Sequence, residues 1–193
     1  MPKTMDFFLN KDSSILDVVL HGSSLGIEST LIQEIIKNSK NKNHSVLAFN
    51  FPFIENGLHV SSGDRFPQEM EMLDNVLNFV NYKRYEKINF IGKSLGGLIG
   101  TYYIYKNQDS SIFSINILGF INNKYIKKIN CKINIIQGQY DKFGNIENVK
   151  NYMKNAKSKQ ISYKEVNNSD HSFRDHSNKE KNHEKEAIKY ITL

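Results

Sequence analysis

Residues 87–97, KINFIGKSLGG, join a short apolar run to a cluster of glycines around Ser94. The run 87–91 has the composition of a buried strand, and the residues from Leu95 onwards have helical spacing. In a G-x-S-x-G pattern at a sharp strand-to-helix turn, the central serine projects above the sheet. The flanking glycines are needed because side chains there would collide with neighbouring backbone. Ser94 is therefore a candidate nucleophile.

Two nucleotide-binding patterns overlap this stretch, and neither fits it. A phosphate-binding loop needs a glycine where this chain has Lys87. A dinucleotide fingerprint that begins at Gly92 needs a glycine where the chain has Ser94. The sequence therefore favours a serine nucleophile over a nucleotide site.

Outward from this stretch, short runs rich in Ile, Val and Phe alternate with segments of helical period. The predicted strands are 15–20, 45–49, 87–91, 112–118, 132–137 and 160–166, with 5–9 as a candidate edge strand. Apolar stripes predict helices over 31–36, 70–80 and 95–103, and weaker helices over 146–156 and 184–191. Apolar strands that alternate with helices are typical of a parallel sheet covered on both faces. We predict an α/β fold, a three-layer α/β/α sandwich with a mostly parallel sheet of about six or seven strands.

The composition fits one globular domain over residues 1–193. Hydrophobic residues make up 39% of the chain, and its length is close to that of one domain. The net charge is +6, but the basic residues are scattered and no basic stripe interleaved with aromatics predicts a nucleic-acid site. One cysteine, Cys131, cannot form an intramolecular disulfide, and no apolar run predicts a signal peptide or a membrane span. We expect a cytoplasmic protein without membrane insertion.

Two further loops supply the partners that a serine nucleophile needs. Asp141 follows the strand 132–137, and His171 follows the strand 160–166. The carboxyl ends of parallel strands meet at one edge of a sheet, where ligands bind. A serine hydroxyl needs a base to accept its proton, and the base needs a carboxylate to orient it. Ser94, Asp141 and His171 are therefore the predicted catalytic residues.

The loop after the first main strand is a candidate oxyanion site. Residues 21–26 read HGSSLG, and their small side chains leave backbone N–H groups free to face the site. We predict that the N–H groups of Ser23 and Leu95 stabilise an oxyanion. The alternative is a tight strand-to-helix turn in which Ser23 or Ser24 caps the helix, and both roles are compatible.

Four sequence motifs, in this order along the chain, support a resemblance to a known family. They are His-Gly at 21–22, Gly-x-Ser-x-Gly at 92–96, Gly-x-x-Asp at 138–141 and Asp-His-Ser-Phe at 170–173. Over roughly residues 16–173 the sequence resembles an α/β-hydrolase, of the small lid-less branch that includes dienelactone-hydrolase-like esterases and compact proteins of the KANL type. The resemblance implies a serine nucleophile at 94, a histidine base and acid at 171, an aspartate at 141 and no cofactor.

Two features depart from the family pattern. Lys93 stands where many family esterases have an aromatic residue or histidine. The segment between Leu118 and Cys131 is too short for a substantial lid, so the lid is minimal or absent. An open site favours small or solvent-borne acyl groups over long lipids.

Other residues compete for the site roles. His176 and His183 are alternatives to His171, but both lie in a polar stretch where an exposed histidine is common. Asp170 is better explained as a loop former than as the catalytic acid. The histidines and aspartates of 170–183 lack the spacing of a helical metal site, so we predict no metal. Cys131 is expected to be a packing residue.

Three aromatic residues, Phe51, Phe53 and Tyr140, are predicted to bind substrate. Phe51 and Phe53 follow the strand 45–49 and could form the acyl-side wall of the pocket, with core packing as an equal alternative. Tyr140 and Phe143 flank Asp141 and have the same two interpretations.

The function predicted from these residues is hydrolysis of a small carboxylic ester or thioester, with carboxylesterase as the favoured class. The predicted partner is a small-molecule acyl substrate. One alternative is a non-catalytic interaction protein that retains the fold, since a fold alone does not establish activity. Another is an acyltransferase that uses the same triad with an acceptor other than water.

Overall fold

A seven-stranded sheet forms the middle layer of the protein in the computed structural model, which describes residues 1–179 and 182–193. The strand order is β1-β3-β2-β4-β5-β6-β7, with β1 antiparallel to β3 and the other neighbours parallel. The strands are β1 (Met5–Phe8), β2 (Ile15–Leu20), β3 (Ser45–Phe49), β4 (Lys87–Lys93), β5 (Ile112–Leu118), β6 (Lys132–Gly138) and β7 (Ile161–Val166). The predicted strands, including the edge strand, are confirmed.

Helices cover both faces of this sheet. They are α1 (Thr30–Asn41), α2 (Pro52–Glu55), α3 (Pro67–Phe79), α4 (Leu95–Asn107), α5 (Ile146–Tyr152) and α6 (Glu184–Lys189). The apolar side chains of α1 and α6 pack on one face, and those of α3, α4 and α5 pack on the other. The predicted three-layer α/β/α sandwich is confirmed.

Strand β2 illustrates why the central strands read as continuous apolar runs. Leu16 and Val18 belong to the core on the α3–α5 side, Val19 belongs to the core on the α1 side, and all three are fully buried. Asp17 is also buried, and its carboxylate accepts a hydrogen bond from Asn89 Nδ2 (2.9 Å) and contacts His44 Nδ1 (2.9 Å). Its charge is tolerated because both oxygens have partners.

Helix α5 is shorter than predicted. The sequence predicts a helix over 146–156, whereas α5 ends at Tyr152. Asn155 has a φ of 67°, a left-handed conformation that is incompatible with a continued α-helix. Met153 and Ala156 still pack on the core, so the apolar residues of this segment continue past the end of the helix.

The parallel topology brings the carboxyl ends of β2 to β7 to one edge, with β4 in the middle of the strand order. The connection between β5 and β6, residues 119–131, contains a 3₁₀ turn at Ile126–Lys128 that packs beside α4. This short connection fits the predicted minimal lid. Among the helices of the described residues, none has the length and apolar character needed to cross a bilayer.

Candidate active site

Ser94 occupies the sharp turn between β4 and α4. Its φ of 51° and ψ of −115° form a strained conformation of the kind that costs about 1–3 kcal/mol and is found at functional sites. The Ser94 N–H donates to Leu118 O at 2.9 Å and anchors the turn to β5. A Cβ at Gly92 would lie 2.5 Å from the Cα of Gly97, and one at Gly96 would lie 2.3 Å from Leu20 O. Only glycine fits these two positions, so the glycines around Ser94 permit the turn.

Ser94, His171 and Asp141 form a continuous hydrogen-bonded chain. His171 Nε2 lies 2.8 Å from Ser94 Oγ, and His171 Nδ1 lies 2.7 Å from Asp141 Oδ2. The Asp141 carboxylate is fixed in turn, because its Oδ1 accepts the Phe143 N–H at 2.9 Å. A carboxylate accepts hydrogen bonds, so Nδ1 carries the proton and Nε2 is left to accept the serine hydroxyl proton. The arrangement can therefore deprotonate Ser94.

The competing histidines lie elsewhere. His176 is exposed and stacks on the Tyr140 ring with centroids 4.3 Å apart. His183 Nε2 lies 3.0 Å from an oxygen of Asp175. Asp170 accepts hydrogen bonds from the backbone N–H groups of Ser172 and Arg174, as expected of a loop former. The structure thus brings His171 and Asp141, rather than these alternatives, to the serine.

The charge state of His171 suits a base. Burial lowers its pKa, while the hydrogen bond to Asp141 partly opposes that effect. The imidazole is consequently neutral around pH 7. The Lys93 ammonium also lowers the pKa of His171, because two positive charges would repel.

Lys93 holds the loop that carries the catalytic histidine. Its Nζ donates to His171 O at 2.7 Å and lies 5.5 Å from the centre of the Phe173 ring. Burial lowers the pKa of Lys93 to about 8, and the carboxylates of Asp141 and Asp170 oppose this shift. Lys93, which departs from the family pattern described above, is therefore a cation that links β4 to the loop after β7.

The two predicted oxyanion donors lie beside the serine. Ser23 and Leu95 both line the cleft in which Ser94 and His171 are exposed. Within the described residues, neither backbone N–H donates a hydrogen bond to a protein acceptor. The Ser23 loop is held from outside by His59, whose Nδ1 donates to Ser23 O at 2.9 Å. No protein acceptor therefore occupies either N–H group in the described residues.

The cleft has a volume of about 340 Å³ and includes residues that sequence reasoning missed. The missed residues lie in loops that follow the carboxyl ends of β3, β5 and β6, and they are His59, Val60, Ser61, Ile121 and Lys142. The signal in the sequence that could have identified these residues was their position after the ends of predicted strands. Phe143 also lines the cleft, with its ring edge-on to His171 at 4.8 Å between centroids.

The structure does not bring the three predicted substrate-binding aromatics to the cleft. Phe51 and Phe53 are 0% and 2% exposed and pack against His21 in the core. Both rings therefore pack in the core, as the alternative interpretation predicts. Tyr140 is exposed, but it stacks on His176 outside the cleft lining.

Comparison with known proteins agrees with the fold described above. A family described as an alpha/beta hydrolase domain matches residues 14–192, which is most of the chain. No curated protein sequence shows significant similarity.

Solved structures share the fold at low sequence identity. A putative alpha/beta hydrolase of unknown function from Agrobacterium tumefaciens is 15% identical, with a TM-score of 0.77 over 96% of this chain and 88% of that one. An alpha-beta serine hydrolase homologue from Coxiella burnetii is 14% identical, with a TM-score of 0.72 over 100% and 99% of the two chains. A Pyrococcus furiosus esterase is 14% identical, with a TM-score of 0.67 over 84% and 75%. At these identities the similarity establishes the fold.

Proposed function

The chain belongs to the alpha/beta hydrolase family, and from this premise we propose that it is a serine hydrolase that cleaves a small carboxylic ester or thioester through an acyl-enzyme on Ser94. The observation that carries the proposal is the hydrogen-bonded chain from Ser94 Oγ through His171 to Asp141. These contacts match the roles of nucleophile, base and orienting carboxylate, and this match supports the proposal.

The first half of the reaction transfers the acyl group to the enzyme. Ser94 Oγ attacks the substrate carbonyl carbon while His171 Nε2 accepts the hydroxyl proton across 2.8 Å. Asp141 stabilises the imidazolium that forms. When the tetrahedral intermediate collapses, the bond to the leaving group breaks and His171 returns the proton to the departing oxygen or sulfur.

The second half releases the acid. Water attacks the acyl-serine carbonyl and gives a proton to His171, and that proton passes to Ser94 as the carboxylic acid leaves. In both halves the carbonyl oxygen becomes negatively charged. The N–H groups of Ser23 and Leu95 stabilise this charge, and one such donor typically changes the rate by about 10²–10³-fold.

The cleft supports a small substrate. Val60, Ile121 and Phe143 provide apolar surface beside Ser94, and a volume of about 340 Å³ fits a short acyl group with its leaving group. The reaction needs no group beyond the triad, the oxyanion donors and water.

Labelling with a fluorophosphonate probe tests the nucleophile before any substrate has been identified. We expect intact mass spectrometry to find one adduct on the wild type and none on Ser94→Ala. The matched control is Ser61→Ala, which removes another cleft hydroxyl and should retain the adduct. An unlabelled, well-folded wild type would overturn the proposal and favour a non-catalytic role. Labelling of Ser94→Ala would assign the nucleophile to another residue.

A further inference from the structure

A second pocket, of about 420 Å³, lies beside the outer face of α4 and is strongly basic. We call it the basic pocket, and its lining consists of cationic, tyrosine and amide side chains: Arg65, Tyr102, Tyr105, Lys106, Gln108, Lys124, Tyr125 and Lys128. Four of these are cations and none is acidic. Within the described part of the chain, none of the four cations takes part in an ion pair. Four uncompensated positive charges around one concavity attract an anion.

Aromatic rings form the apolar part of the pocket. The Tyr102 and Tyr125 rings are 4.7 Å apart between centroids, and the Tyr105 and Tyr125 rings are 5.1 Å apart. Lys124 Nζ lies 5.5 Å from the Tyr125 ring centre, and Lys128 Nζ lies 5.4 Å from that of Tyr105. Two of the four cations therefore lie against the rings that line the pocket. Lysine and arginine around such a site favour phosphate, which accepts several charge-assisted hydrogen bonds.

Three parts of the fold contribute residues to both the basic pocket and the catalytic cleft. The segment after α2 contributes Ser61 to the cleft and Arg65 to the basic pocket. The connection between β5 and β6 contributes Ile121 to the cleft and Lys124 to the basic pocket. Helix α4 passes between these two segments, since Tyr102 contacts the ring of Phe66 on one side and that of Tyr125 on the other.

One face of α4 runs from the cleft towards the basic pocket. Leu95, Leu98, Tyr102 and Tyr105 follow helical spacing, so they lie along one face of α4. Leu95 lines the cleft and Leu98 is partly exposed. At 1.5 Å per residue, Tyr102 lies about 10 Å and Lys106 about 17 Å along the helix from Leu95. A ligand that occupies both sites must therefore have an arm of that length.

We infer that the basic pocket binds phosphate groups at the far end of the substrate that Ser94 attacks. The substrate class is an ester or thioester that carries phosphate on a flexible arm, about 10–17 Å from the reacting carbonyl. This inference rests on the proposed function. The phosphate can belong to the leaving group or to the acyl group, and the experiment distinguishes the two.

Paired substrates test the inference. The first pair is acetyl-coenzyme A and the acetyl thioester of N-acetylcysteamine, which lacks the phosphates. The second pair is a long-chain para-nitrophenyl ester that ends in a phosphonate and the same ester without it. We expect kcat/KM to be about tenfold or more higher for the phosphate-bearing member of at least one pair. The pair that shows the preference identifies which part of the substrate carries the phosphate.

Variants that each remove one positive charge from the basic pocket test its role, and a lysine outside the pocket provides the matched control. Lys106→Gln and Lys124→Gln should each reduce the preference about tenfold, mainly through KM, and high salt should reduce it further. Lys159→Gln, an exposed lysine outside both sites, should leave the preference unchanged. A direct titration of each protein with inorganic pyrophosphate should show binding that weakens in the first two variants and not in the third.

The possible failures are distinguishable. Equal kcat/KM within both pairs, with Ser94 still labelled by the fluorophosphonate, overturns the inference and leaves the proposed function intact. A preference that Lys159→Gln reduces as much as Lys106→Gln also overturns it, because general surface charge would then be the cause. Loss of Ser94 labelling in the wild type removes the proposed function and the inference with it.

Discussion

Acid should destabilise the fold through His21, a fully buried histidine at the end of β2. Its Nδ1 lies 2.6 Å from Gly22 O and donates to it, while its Nε2 accepts the Phe51 N–H at 2.8 Å. A proton added to Nε2 would face this N–H donor in a buried site packed by aromatic rings. Burial accordingly lowers the pKa of His21 to about 4, from an ordinary value of 6.5.

The magnitude follows from linkage. The unfolded chain protonates His21 near pH 6.5 and the folded protein only near pH 4, so the unfolded state binds more protons between these values. The stability contributed by neutral His21 is thus present above pH 6.5 and is lost as the pH falls towards 4. The loss is about 2 kcal/mol between pH 7 and pH 5, and about 3 kcal/mol by pH 4.

Urea unfolding at pH 7 and pH 5 measures this loss. The comparison is with His21→Gln, which keeps an acceptor near the Phe51 N–H but cannot titrate. The other histidines are present in both proteins, so their contributions cancel in the difference. We expect the free energy of unfolding to fall by about 2 kcal/mol more in the wild type than in the variant. An equal fall in both proteins, or an NMR titration of His21 in the folded wild type near 6.5, would refute the reasoning.

Three further predictions concern Lys93, Gly96 and Cys131. Lys93→Met removes a positive charge that lowers the pKa of His171, so the acidic limb of the kcat/KM profile should move to higher pH; an unmoved limb contradicts this. Gly96→Ala should abolish fluorophosphonate labelling and lower the Tm, because its Cβ would lie 2.3–2.5 Å from two backbone oxygens at the end of β2. Its control, Gly22→Ala, meets atoms only at 3.5–3.6 Å and should stay folded; equal damage from both would refute the steric argument. Partial burial raises the pKa of Cys131 to about 11, so its thiol should react with iodoacetamide at pH 8 more slowly in the folded protein than in the unfolded chain, and equal rates would count against this.

Much of the fold was predictable from the sequence because the sheet is parallel. Strands such as β2 and β4 are buried on both faces, so they read as apolar runs with sharp ends. The carboxyl-terminal end of α5 was not predictable, because the periodicity of the segment does not indicate the left-handed conformation of Asn155. The short helix α2 was missed for a related reason, since a single turn has too few residues to show a stripe.

The candidate triad was predictable because the site lies at strand ends. Ser94, Asp141 and His171 each follow a predicted strand, and a parallel sheet aligns those ends at one edge. The same rule was insufficient for Phe51, which also follows a strand but packs in the core. A position after a strand determines the edge on which a residue lies, whereas packing determines the direction of its side chain.

The sequence by itself determined the fold class, the turn at Ser94 and the order of the candidate catalytic residues, because each depends on local pattern. Only the tertiary structure decided which distant side chains meet. Lys93 touches the backbone of His171, and Arg65, Lys106 and Lys124 converge on one pocket although they are far apart in the chain. In the sequence alone these basic residues are interpreted as scattered surface charge. Their proximity arises from how α4 packs between two connecting segments, and no local period encodes that packing.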